Sequence, residues 1–113
     1  VDLRVSSAAE RTVLSVAGEV DVANAGSLRE RLEDLLTHSP RGLIVDLTPL
    51  TFIDSTGLGV LVGARNRAME IGVPLALVCA QERVLKLFRI TGLDAVFEIH
   101  PTLEAATGRA GTN

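Results

Sequence analysis

The sequence predicts an α/β domain built on a small, mixed, largely parallel sheet, and three observations carry that prediction. From Thr12 onward, strand-length β-branched runs alternate with segments whose apolar residues recur every three or four positions. "GLIVDL" (Gly42 to Leu47) and "VPLALVCA" (Val73 to Ala80) are nearly continuous apolar runs, as in strands covered on both faces. The 113 residues are 47% hydrophobic, enough for one core without metals or disulfides. There is no repeat, linker or low-complexity segment, so 1–113 is expected to form a single domain.

The elements follow in order. "TVLSVAGEV" (Thr12 to Val20) is β-branched and reads as a strand. "LRVS" (Leu3 to Ser6) is expected to pair with it as an antiparallel edge across the polar "SAAERT". Ala25, Leu28, Leu32, Leu35 and Leu36 mark an amphipathic helix, with Asn24 as N-cap and Pro40 beyond its end. "GLIVDL" is the next strand, and "TPLTF" reads as a connection. A helix is expected from about Thr56 to Ile71, stopped by Gly72, with Leu58, Leu61, Val62 and Met69 toward the core. "VPLALVCA" is a buried strand, "QERVLKLFRITG" a helix closed by Gly92, and "AVFEI" a last strand. "PTLEAATGRA" is a short helix with Pro101 near its start, and 107–113 reads as a frayed tail.

Composition narrows the function classes. Three Phe with no Trp or Tyr do not make a stacking platform for single-stranded nucleic acid. A net charge of −3 with interspersed signs does not suit a phosphate backbone, so no direct nucleic-acid binding is expected. The single cysteine, Cys79, fits a reducing compartment and reads as a small core residue at a strand end. No apolar stretch has the length of a membrane span, and no basic-then-apolar leader opens the chain. A cytoplasmic location without membrane insertion is therefore expected.

"FIDSTGLGVLVGARNRA" (Phe52 to Ala68) stands out, because a helical pattern carries Gly57, Gly59 and Gly63. Each glycine inside a helix costs roughly 1 kcal/mol relative to alanine. The spacing GxGxxxG is one residue too long for a dinucleotide fingerprint, and neither a ribose-binding acid nor a GK[ST] accompanies it. Ser55 lacks the preceding glycine of a nucleophile elbow, since Ile53 stands there, and neither His38 nor His100 is brought to it by sequence. Asp46 and Asp54 do not form a carboxylate pair with further ligands, so no metal, cofactor or catalysis is expected. Two readings stay open. Asp54 or Ser55 caps a helix and sets a hydroxyl on an interaction surface, beside the smooth stripe of Gly59 and Gly63. Alternatively, the glycines permit tight helix-to-sheet packing and Ser55 is only a cap, which the residues alone favour.

"LTFIDSTGLGVLVGARNRA", preceded by "GEVDVANAGSLRERL" and followed by "ERVLKLFRITGLDAVFEIH", resembles the STAS domain of bacterial anti-sigma factor antagonists. The similarity runs from about Leu3 to Leu103. It implies a STAS fold whose sheet carries helices mainly on one side. It further implies a non-enzymatic partner switch: the unmodified form binds an anti-sigma factor that is also a serine kinase, and frees a sigma factor. Phosphorylation at Ser55, in preference to the adjacent Thr56, turns binding off, and a metal-dependent phosphatase restores it. The partner-facing residues carried over are Asp21, Asp54, Ser55, Thr56, Gly57 and Gly59. The alternative within the family is an accessory or scaffold subunit of a transporter or stress-signalling complex, against which the retained Ser55 argues.

Overall fold

The computed structural model describes residues 1–108. Strands β1 (Asp2–Ala8) and β2 (Arg11–Val20) form an antiparallel hairpin, in register from Asp2↔Ala17 to Ala8↔Arg11. Its two-residue turn, Ala9 and Glu10, has φ of 52° and 68°. That left-handed pair matches the twist of the flanking strands, although neither residue is the usual Asn or Gly. The chain continues through α1 (Ala25–Thr37), β3 (Leu43–Asp46), β4 (Leu50–Ile53), α2 (Ser55–Ile71), β5 (Leu75–Val78) and α3 (Glu82–Ile90). A 3₁₀ turn (Leu93–Ala95), β6 (Ile99–His100) and α4 (Leu103–Thr107) complete it.

The sheet order is β1-β2-β3-β5-β6, and every pairing beyond the hairpin is parallel. Strand β4 pairs with the end of β2, matching Gly18↔Leu50, then, after a register shift at Gly18/Glu19, Glu19↔Phe52 and Val20↔Ile53. Side-chain alternation divides the apolar runs between two faces. Leu14, Val45 and Leu77 join the main core under α1, α2 and α3. Their strand neighbours Val13, Ile44 and Val78 face the other way, where among the described residues α4 covers them through Ala106 and Leu103, with Ala8 of β1 beside them. This is why the central strands read as unbroken apolar runs, and why the helices lie mainly on one side.

Several expectations are corrected. "TPLTF" is not a plain connection: Leu50–Ile53 is a strand, so α2 does begin at a strand end. The apolar spacing that betrays a strand is short there, and β4 is recognisable only through its pairing with β2. "AVFEI" is mostly not a strand; pairing is confined to Ile99 and His100. Phe97 turns inward instead and meets Phe88 edge-to-face, with centroids 5.8 Å apart at 89°. Met69 is 65% exposed, whereas Val60, Ala64 and Ala68 join Leu58 and Leu61 on the buried face of α2. Asn24 stands at the N-cap of α1 without capping by its side chain, because that amide is engaged with the chain before it. Thr107 closes α4, and the rest of the expected tail, 109–113, lies outside the described residues.

Candidate functional site

Parallel pairing of β2 and β4 brings their carboxyl ends side by side, the usual place for functional groups on a parallel sheet. The Asp54 N–H donates to the Val20 carbonyl at 3.2 Å, which joins the two strand exits directly. Asp21, the residue after β2, is locked in a tight turn. Its Oδ1 accepts from the N–H groups of Ala23 (3.0 Å) and Asn24 (3.2 Å), and its own N–H donates to Asn24 Oδ1 at 2.9 Å. Asn24 Nδ2 then donates to the Glu19 carbonyl at 2.9 Å, tying the start of α1 to the end of β2. The turn is thus rigidified by side-chain hydrogen bonds that imitate backbone ones.

Asp54 is the N-cap of α2. Its backbone is extended, its Oδ1 accepts from Gly57 N–H at 3.0 Å, and its carbonyl accepts from Leu58 N–H at 3.0 Å. With these two donors taken, Ser55 and Thr56 occupy the first helical turn, both exposed. Neither hydroxyl makes a hydrogen bond to another described residue. The Ser55 hydroxyl therefore stands at the mouth of a helix, near the positive end of its dipole.

The three glycines have different reasons. Gly57 is buried: an added Cβ would lie 2.6 Å from Ile53 Cγ1 and 2.8 Å from Val20 Cγ1. It lets the first turn of α2 sit directly on the joined ends of β2 and β4. This corrects its expected place among surface residues; Gly57 acts from beneath. Gly59 and Gly63 are exposed, and an added Cβ at either would meet nothing within 4 Å. They do not serve packing against the sheet, and instead line a shallow groove between α1 and α2 with Arg29 and Arg67. Asp21, Asp54, Ser55 and Thr56 are brought together at the β2/β4 end, while Gly59 lies about one turn further along α2.

The other chemical candidates are engaged elsewhere. His38 Nδ1 meets the Asp34 carbonyl at 2.9 Å at the far end of α1, and His100 Nε2 meets Glu98 Oε2 at 2.6 Å on β6. Neither supplies a base to Ser55. Among the described residues no group of His, Cys, Asp or Glu has the arrangement to hold a metal ion. Burial pushes the Cys79 thiol above its ordinary value, and the charge of Asp46 adds to this against a lowering hydrogen bond from the Gln81 backbone. Cys79 is 2% exposed, a small protonated core residue.

One organising residue escapes a reading of the sequence. Gln81 Nε2 donates to the carbonyls of Leu47 (2.6 Å), Thr48 (3.1 Å) and Leu50 (2.9 Å). Its Oε1 accepts from Ala80 N–H at 3.1 Å and from the Cys79 thiol at 3.4 Å. One amide thus ties the β3–β4 turn to the start of α3, and so places the strand that delivers Ser55. A lone glutamine carries no periodicity or motif that could announce this.

The architecture is that of a mixed α/β domain presenting a hydroxyl where two parallel strands end together. A model of the STAS domain matches residues 1–106, and the chain belongs to the STAS domain family. It is 40% identical over 84 residues to the anti-sigma-B factor antagonist of Listeria monocytogenes, covering 74% of each chain. It superposes on a crystal structure of an anti-sigma factor antagonist from Mycobacterium paratuberculosis with a TM-score of 0.85 and 26% identity, covering 95% of this chain and 91% of that one. The Bacillus cell fate determinant SpoIIAA in its phosphorylated form shares the fold, with a TM-score of 0.71 and 21% identity over 96% of this chain and 98% of that one. No helix among the described residues is long and apolar enough to cross a membrane.

Proposed function

We propose that this chain is an anti-sigma factor antagonist, acting in the cytoplasm, whose binding is switched by phosphorylation of Ser55. The observation that carries the reading is the exposed, unbonded Ser55 hydroxyl at the start of α2, set between Asp54 and Thr56 on a rigid strand–helix junction. The kinship with named antagonists supports the partner class, an anti-sigma factor. A fold neighbour described in a phosphorylated form supports the compatibility of this fold with a phosphate. The anti-sigma factor is read here as the serine kinase, and a metal-dependent phosphatase as the enzyme that restores the binding form.

The physics of the switch is local. A phosphoserine adds about −1.5 to −2 charges and three acceptor oxygens. At a helix start those oxygens face N–H groups and a favourable dipole, worth about 0.3–1 kcal/mol, so the fold tolerates them. The penalty falls on the complex, where a bulky dianion beside Asp54 replaces a neutral hydroxyl in a fitted surface. A loss of about 2–3 kcal/mol there weakens affinity roughly 30- to 150-fold, enough for a switch. The chain is the substrate in this scheme, and its own residues carry out no chemistry.

The test is phosphosite mapping after incubation with the cognate anti-sigma factor and ATP. Ser55 is expected to carry the phosphate, and Ser55→Ala to bind the anti-sigma factor while escaping modification. Phosphate found only on Thr56, or on neither residue, would overturn the assignment.

A further inference from the structure

The segments that converge beside Ser55 carry acidic side chains and no basic ones of their own, while cations reach them from other elements, Arg83 of α3 beside Leu50 and Thr51, and Arg29 and Arg67 in the groove with Gly59. Residues 12–28 and 42–64 contain four carboxylates, Glu19, Asp21, Asp46 and Asp54, and no Lys or Arg at all. The remaining ten acidic residues face eleven cations, so the net −3 arises from these two segments. They meet where β2 and β4 end. Glu19, Asp21 and Asp54 form no ion pair with a described residue, as is also true of Glu30, Glu33, Asp46, Asp94 and Glu104, so their charges are free to meet a partner.

Two large apolar side chains interrupt these acidic segments. Val22, in the turn after Asp21, is 75% exposed, and Phe52, on β4, is 47% exposed. Phe52 pairs with Glu19, one residue before the Val20↔Ile53 pair that seats Gly57. Alternation therefore turns Phe52 and Glu19 to the face away from α2. Phe52 lies three residues from Ser55, at most about 11 Å along an extended chain. Val22 follows Val20 by two residues, at most about 7 Å. Both fall within one standard footprint of about 800 Å² around the serine. Nothing in the core requires either side chain, and exposed aromatic and aliphatic groups at the centre of a polar rim are the composition of a binding hot spot.

We propose that Val22 and Phe52 are the apolar anchors of the anti-sigma factor contact, and that the partner surface receiving them is basic. This rests on the reading of the chain as an antagonist. The unpaired carboxylates select a cationic rim, and the two apolar groups give the contact a grip that does not depend on Ser55. Phosphorylation then acts on a serine next to the two anchors, so the anchors set which partner is bound and Ser55 sets when.

The experiment is titration calorimetry with the organism's purified anti-sigma factor, using wild type, Val22→Ser, Phe52→Ser, Phe52→Leu and the control Val5→Ser. Val5 is as exposed as Phe52, at 47%, but stands on the β1 edge strand. Thermal unfolding of each variant confirms that it is folded, and Phe52→Leu keeps an apolar side chain should the serine variant lose stability. Val22→Ser and Phe52→Ser are each expected to weaken binding about tenfold, Phe52→Leu by about threefold, and Val5→Ser by less than about twofold. Wild-type affinity is expected to fall at least about tenfold from low to high salt, with a shallower dependence in Glu19→Gln. If wild type binds and the folded Val22 and Phe52 variants bind equally well, the anchor assignment is wrong while the antagonist reading stands. If wild type binds no anti-sigma factor, both fall.

Discussion

Alanine at position 57 tests the seat of α2 directly. In an exposed helix, Gly→Ala gains up to about 1 kcal/mol. At Gly57 the new methyl would lie 2.6 Å from Ile53 Cγ1, 2.8 Å from Val20 Cγ1 and 3.0 Å from Ile53 Cδ1. Val20 is 0% and Ile53 2% exposed, so neither side chain can swing into solvent, and both are fixed in the strand pair. Inserting a methyl into such a site costs about 1–3 kcal/mol. Set against a helix-propensity gain of about 1 kcal/mol, the net expectation is a destabilisation of up to about 2 kcal/mol, or at most roughly 8–16 °C in melting midpoint for a domain near this size. Gly59→Ala and Gly63→Ala meet open space and should each stabilise by up to about 1 kcal/mol. Urea unfolding of the three variants, with m held constant, gives the comparison. If Gly57→Ala stabilises as much as Gly59→Ala, the junction is not packed as described, and the account of why Ser55 stands where it does loses its support.

Other substitutions probe the same end. Asp54→Ala removes the cap on Gly57 N–H and should cost about 0.5–2 kcal/mol in urea unfolding, while Asp54→Asn should retain most of the stability. Gln81→Leu removes the two N–H donors shared by the Leu47, Thr48 and Leu50 carbonyls, of which Leu47 keeps its bond from Leu50 N–H, and should destabilise by about 1–3 kcal/mol; Gln81→Glu, which has no N–H to donate, should not rescue it. The Cys79 thiol has a folded-state pKa above its ordinary 9.0 because burial disfavours the thiolate. The stability associated with it is therefore complete below pH 9.0 and declines as pH rises beyond it, the unfolded thiol ionising first. Unfolding curves of wild type should show that alkaline decline, and Cys79→Ala should show less of it.

Much of this molecule was legible because its signals are periodic. The Leu28–Leu32–Leu36 stripe, the apolar runs of β3 and β5, and the glycine stop at Gly72 each translate directly into an element. What escaped depends on partners distant in sequence. β4 is four residues long and exists through β2. Phe97 belongs to the core because Phe88 waits for it, so a strand-like run became a turn. The helical stripe that turns Met69 inward with Leu58, Leu61 and Val62 departs from the buried face, which continues from Leu58, Val60 and Leu61 through the small residues Ala64 and Ala68 that let α2 lie close to its neighbours. The site divides in the same way. Asp54 as cap and Ser55 as exposed hydroxyl follow from local rules, as does their grouping with Thr56. The reason for Gly57 could not be read locally, since it lies in Val20, thirty-seven residues away in sequence, as much as in nearby Ile53. Gln81 likewise gains its meaning only from the turn more than thirty residues before it.

The most direct measurement is the affinity for the anti-sigma factor before and after stoichiometric phosphorylation of Ser55, with the melting midpoint recorded for both forms. A loss of at least about 30-fold in affinity with the midpoint nearly unchanged is the expected result. Equal affinity in the two forms, or a phosphorylated form that no longer folds, would contradict a switch made of one exposed hydroxyl on an unaltered scaffold.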